Sequence, residues 1–144
     1  MRWTLAHRFD KRCVALADRH YSRRKVGSPQ FVPPGSPVVL YAPGAVWCSL
    51  QQLSSMHQWW PSWGNPIFRK ECEGLASEFI REALAATRWC WGLPPEPWGM
   101  VTFVDAAKVR HKRDPGRCFR RAGWTDDGLT TKGLVRLIAP GGDQ

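Results

Sequence analysis

The run from residue 65 to residue 105 constrains the fold most, because a strand-like stretch, a long amphipathic stretch and a second strand-like stretch follow one another directly. "NPIFRKE" is short and extended, and it leads into "CEGLASEFIREALAATRW", where Leu75, Phe79, Ala83 and Leu84 fall near one helical face. "GLPPEPWG" ends that helix, since its prolines cannot continue the hydrogen-bond ladder. "MVTFVD", residues 100 to 105, then reads as a buried strand. Elements of this order give a mixed α/β chain.

Upstream, "VVLYA" (38–42) and "AVWCSL" (45–50) are β-branched or aromatic runs divided by Pro43 and Gly44, which predicts a tight hairpin. From Asp10 to about His20, Cys13, Leu16 and Ala17 recur at helical spacing with Asp10 as N-cap. "VGSPQFVPPGSP" has too many prolines and glycines for regular structure and is a loop. Downstream, "DPGRCFRRAGW" offers Asp114 as N-cap, Pro115 at the first helical position and closure at Gly123. "GLVRLIAP" supplies a final strand. Trp59, Trp60 and Trp63 cluster around Pro61 and Gly64, as a substrate wall or an irregular piece of core. With 144 residues and 43% hydrophobic content, one core and a single domain over 1–144 are expected.

No run approaches the roughly 18 apolar residues of a membrane span, and Met1 leads into charged sequence, so a soluble intracellular protein is expected. The five cysteines are scattered and lack any CxxC pair, which argues for reduced thiols and against a disulfide framework or a structural zinc site. Lysine plus arginine outnumber acidic residues 21 to 12, a formal charge of +9. The excess is concentrated in Arg19 to Lys25 and in Lys108 to Arg121. A polyanionic partner fits this pattern, and so do two solvated basic faces.

The spacing R-x-x-C-x-G-L-A, from Arg69 to Ala76, sets a glycine-containing loop at a helix N-terminus, where exposed N–H groups and the helix dipole suit a phosphate. Together with the strand "MVTFVD", the helix "DPGRCFRRAGW" and the Gly123-Trp124 pair, residues 65 to 140 resemble the GNAT superfamily of acyl-CoA-dependent transferases. The resemblance implies a GNAT-like mixed sheet with flanking helices and splayed central strands. It implies acetyl-CoA or a related acyl-CoA as cofactor, held by Arg69, Cys72, Gly74, Leu75, Ala76 and Phe119. Two residues depart from the family pattern. Cys72 stands where the first motif glycine is usual, and Phe119 where many members carry the tyrosine that protonates the departing thiolate.

"DRHYSRR", joined to such a core, is similar to the Mom group of phage DNA-modification proteins, which attach an acyl-derived group to adenine in DNA. That resemblance implies a phage or mobile-element enzyme working in the bacterial cytoplasm and protecting DNA from restriction. His20, Tyr21, Ser22 and Asp105 are the implied catalytic set. A histidine suits proton removal from an acceptor nitrogen, while Asp105 equally suits a helix cap or an ion pair with Lys108. Arg19, Arg23, Arg24, Lys25, Arg110, Lys112, Arg113, Arg117, Arg120 and Arg121 are the candidate contacts to DNA phosphates, which position a duplex without reading its sequence. Two further readings stay open: acetylation of a small-molecule amine or a protein, and non-catalytic nucleic-acid binding on the same fold.

Overall fold

The computed structural model describes residues 1–20, 23, 25–51, 61–108 and 114–141. Their elements are β1 (Thr4–Ala6), α1 (Lys11–Ala17), β2 (Ser36–Ala42), β3 (Ala45–Gln51), β4 (Trp63–Lys70), α2 (Ala76–Trp91), β5 (Met100–Val104), α3 (Arg117–Arg121), β6 (Thr125–Leu129) and β7 (Val135–Ile138). All of these strands lie in one open mixed sheet of order β1-β2-β3-β4-β5-β7-β6. Every paired neighbour is antiparallel except β4 and β5, which α2 connects as parallel strands. Among the described residues no helix is long and apolar enough to cross a membrane.

The hairpin of β2 and β3 closes from Ala42↔Ala45 across Pro43 and Gly44. Gly44 has φ +86°, and a Cβ there would stand 2.8 Å from the Cys72 Cβ, so glycine is required both by the turn and by the close approach. β3 is covered on both sides, which is why its sequence is a continuous apolar run. Val46 and Cys48 pack with α1 residues Cys13, Leu16 and Ala17, while Trp47 faces the opposite cluster with Phe79, Ile80 and Ala83 of α2. The polar atoms buried in the second cluster are linked in series. Trp47 Nε1 donates to Ser49 Oγ at 2.7 Å, and Ser49 Oγ lies 2.7 Å from Thr87 Oγ1, which donates to the Ala83 carbonyl at 2.8 Å. Each is thereby satisfied inside an apolar layer.

β4 and β5 are paired only at Trp63↔Met100 and Gly64↔Val101. The next residues explain where the ladder stops. Pro66 has no N–H to offer a neighbouring strand. Asn65, which is buried, turns its side-chain amide to the carbonyls of Cys48 (2.9 Å) and Ile67 (3.0 Å). Thr102 Oγ1 stands 3.1 Å from the Asn65 carbonyl and 3.0 Å from its Oδ1. Side-chain bonds therefore replace backbone bonds at this level, opposite the register irregularity between Cys48 and Leu50 of β3.

Several local expectations are corrected. α1 ends at Ala17, and residues 18–20 continue as turns, with His20 N–H donating to the Ala17 carbonyl at 2.9 Å. Leu75 is exposed rather than on the buried face of α2, where Ile80 takes the core position. α3 begins at Arg117 after Gly116 at φ +88°, so Asp114 is not its cap. Asp114 instead accepts from Arg120 Nη1 at 2.8 Å. Trp59 and Trp60 lie outside the described residues, whereas Trp63 is buried and meets Trp91 edge-on at 5.2 Å.

Asp10 caps α1 as expected, its carboxylate accepting from Arg12 N–H at 2.9 Å. The Arg12 guanidinium beside it lowers its pKa from 3.8 to about 2. A carboxyl depressed on folding contributes stability that is complete above 3.8 and fades as pH falls towards 2. Asp10→Ala should accordingly cost about 1 kcal/mol at neutral pH and much less at the acid end, as read by urea unfolding at several pH values. An equal loss at every pH would remove the carboxylate from the cap.

Candidate functional site

Where β4 and β5 part, a cavity of about 800 Å³ opens at their carboxyl ends. This is the place in an α/β sheet where ligands are commonly held. Asn65, Pro66 and Phe68 of β4 and Thr102, Phe103 and Val104 of β5 form two walls. The first turn of α2 contributes Leu75, Ala76 and Ser77, and α3 with the preceding turn contributes Gly116, Arg117, Cys118, Phe119 and Arg121. Arg19 and His20 reach it from the segment after α1.

The lining is electrostatically one-sided. Arg19, Arg69, Lys70, Lys108, Arg117 and Arg121 face a single lining carboxylate, Asp114, among the described residues. Asp114 is itself paired with Arg120, and Glu71, outside the lining, pairs with both Arg19 and Arg69. Six cations around an apolar floor of Pro66, Phe68, Val104 and Phe119 suit a ligand with an anionic end and an apolar end.

Arg120 holds the α3 side in place. It forks onto Asp126 of β6 at 2.8 and 2.9 Å and reaches both Asp114 and the Pro115 carbonyl. Its hydrogen bonds hold the Asp126 carboxyl below its ordinary value. The glycine-containing loop is shaped from two directions. Glu71 N–H donates to the Gly44 carbonyl at 2.7 Å, and Gly74 takes φ +108°, where a Cβ would press within 3.1 Å of the Phe79 ring.

The candidate residues divide as follows. Of the cofactor set, Arg69, Leu75, Ala76 and Phe119 line the cavity, whereas Cys72 and Gly74 are not among its lining residues and shape the loop behind it. Phe119 is buried and packs against Trp124 at 5.0 Å and Phe68 at 6.1 Å. Of the catalytic set, His20 lines the cavity and is half-buried. Asp105 is not among the lining residues and closes a turn, its Oδ1 accepting from the N–H groups of Ala107 (3.1 Å) and Lys108 (3.3 Å). Tyr21 and Ser22 lie outside the described residues.

Of the DNA set, Arg19, Arg117 and Arg121 line the cavity, Lys25 is exposed in the loop beyond it, and Arg120 is tied to Asp114 and Asp126. Arg23 is turned inward. Its Nε bonds Asp18 at 2.7 Å, its other nitrogens reach the Gln30 and Ser28 carbonyls, and only 7% of the side chain is exposed. Arg24, Arg110, Lys112 and Arg113 lie outside the described residues.

Lys70, Ser77 and Thr102 are among the lining residues that the motif did not mark. Lys70 has a readable signal, since it follows Arg69 directly at the end of a strand. Cys13 and Cys48 are excluded as nucleophiles, because burial pushes both thiols up to about 12. Cys118 is the thiol that borders the cavity among the described residues.

Compared with known proteins, the chain matches no protein-family model, no curated protein and no solved structure.

Proposed function

We propose that the chain is an acyl-CoA-dependent transferase of the GNAT type that modifies a DNA base, with adenine's amino group as acceptor. The observation that carries the reading is the basic cavity between β4 and β5, two parallel strands that share only two register pairs. The residues present fit such a cofactor. Its phosphates need cations and helix-terminal N–H groups, which Arg69, Lys70 and the Leu75 to Ser77 turn offer, and its apolar arm needs a slot, which Pro66, Phe68 and Val104 offer. Bound there, an acyl-CoA would supply a thioester carbonyl open to attack.

The chain's own part is binding, alignment and proton removal. An exocyclic adenine amine is a weak nucleophile because its lone pair is delocalised, so positioning dominates. His20, at the cavity wall, is the group that would take the proton from that nitrogen. Phe119 offers no proton to a leaving thiolate, so that proton is assigned to solvent.

The test is nucleoside mass spectrometry of DNA from cells expressing the protein. A mass-shifted adenine is the expected outcome, and unmodified DNA in the presence of folded protein would sink the reading. A second reading, transfer to a small amine, is favoured by one observation: Arg23 spends its donors inside its own loop, which leaves the basic cluster weaker than its count suggests. Duplex affinity separates the two. The DNA reading expects binding that falls steeply with salt as phosphate contacts release counterions, and no affinity at low salt would favour the small acceptor.

A further inference from the structure

Two of the cavity's cations are held against one carboxylate. Arg19 forks onto Glu71, with its Nη2 at 2.8 Å from Oε1 and its Nε on Oε2, while Arg69 Nε donates to the same Oε2 at 3.1 Å. Arg69 Nη1 also donates to the Arg19 carbonyl at 3.0 Å, which keeps the two guanidinium groups together although they are 50 residues apart in sequence. Both arginines line the cavity, and Glu71 does not. Arg19 and Glu71 are substantially exposed, with 51% and 29% of their side chains open to solvent. Burial therefore does not lock the pair.

A guanidinium fork that accepts a two-oxygen carboxylate has the geometry for two phosphate oxygens as well. We infer that Arg19 and Arg69 form a subsite for a diphosphate group, and that the Glu71 carboxylate stands in for that group until the ligand arrives. Glu71 is then an internal competitor. It keeps two arginines converged in the absence of ligand and must share or yield them when a more highly charged anion enters. Its own carboxyl is held below its ordinary value, chiefly by the Arg19 bond, so the stand-in stays charged at neutral pH. The assignment moves Arg19 from the set of DNA contacts to the cofactor side, and it rests on reading the cavity as a nucleotide-cofactor site.

The experiment is calorimetry on the full chain with two probes, CoA and inorganic pyrophosphate, comparing wild type with E71Q and R19Q. Glutamine at 71 keeps the size and removes the competing charge, so both probes should bind about fivefold more tightly, the scale of one exposed ion pair. R19Q should weaken both by a similar factor. Thermal melts of the variants establish that they are folded. E71Q and R19Q leaving both affinities unchanged in folded protein would overturn the subsite and make Glu71 a strut between β4 and the segment after α1. A response to pyrophosphate without any binding of CoA would keep the subsite and remove the CoA reading. Effects confined to the affinity for a DNA duplex would overturn the assignment and return Arg19 to the DNA face.

Discussion

If the chain modifies DNA bases as proposed, His20→Ala is expected to slow that modification by about 10² to 10⁴ while leaving the melting temperature and CoA affinity close to those of the wild type. The magnitude is what a positioned general base typically supplies. The separation of effects follows from where His20 sits. It lines the cavity beyond the end of α1, it is half-buried, and it belongs to neither of the two apolar clusters. The measurement is the initial rate of mass-shifted nucleoside formation on a duplex, with calorimetry and a thermal melt on the same preparation. A variant that modifies DNA at the normal rate would make the histidine structural, and the proton would then leave by water. A variant that loses CoA affinity as well would place the imidazole in the binding wall rather than at the acceptor.

The sequence around His20 shows what charge and residue type can and cannot disclose. Arg19 and Arg23 are equivalent in composition, and both read as phosphate contacts. In the fold one reaches Glu71 at the cavity mouth and the other bridges Asp18 to the Gln30 and Ser28 carbonyls, fastening the proline-rich loop. Nothing in a basic run marks which arginine will meet backbone carbonyls, because those carbonyls become available only once the loop has folded. Asp114 illustrates the same limit, held by Arg120 where the pattern offered a helix cap, whereas Asp105 accepts from the Ala107 and Lys108 N–H groups, in keeping with the capping role the pattern also offered.

Elements buried on one or both faces were legible. The hairpin, β5 and α2 announce themselves through β-branched runs or helical spacing, because burial selects side chains at every turn of the pattern. β1 and β6 did not. They are the two edges of the sheet, "TLA" and "TDDGL", each paired on one side only and largely exposed, so no apolar pattern was imposed on them. Asp126 and Asp127 on β6 also place charges on an edge, where they discourage pairing with another chain.

The cavity itself rests on a dipeptide, Asn65-Pro66, whose significance a strand reading passes over. Proline within a strand marks the end of a ladder, and asparagine before it can bond to backbone groups that the ladder leaves behind. Asn65→Ala is expected to cost about 1 to 3 kcal/mol, since the Cys48 and Ile67 carbonyls lose a donor and Thr102 loses one acceptor inside the protein. Asn65→Asp should cost more. A carboxylate there would face two carbonyl oxygens at the distances, 2.9 and 3.0 Å, that now suit an N–H donor. Chemical denaturation reads both losses. A double-mutant cycle with Thr102→Val separates local stability from the mechanism of strand separation. If the two side chains together hold β4 apart from β5, their effects are non-additive, because each single change already breaks the shared bond. On the proposed cofactor reading the same variants should bind CoA more weakly, since the strand that carries Phe68, Arg69 and Lys70 to the cavity loses its anchor just where it departs from β5. A loss below about 0.5 kcal/mol, or strict additivity with Thr102→Val, would show that Pro66 alone divides the sheet and that Asn65 merely fills the space beside it.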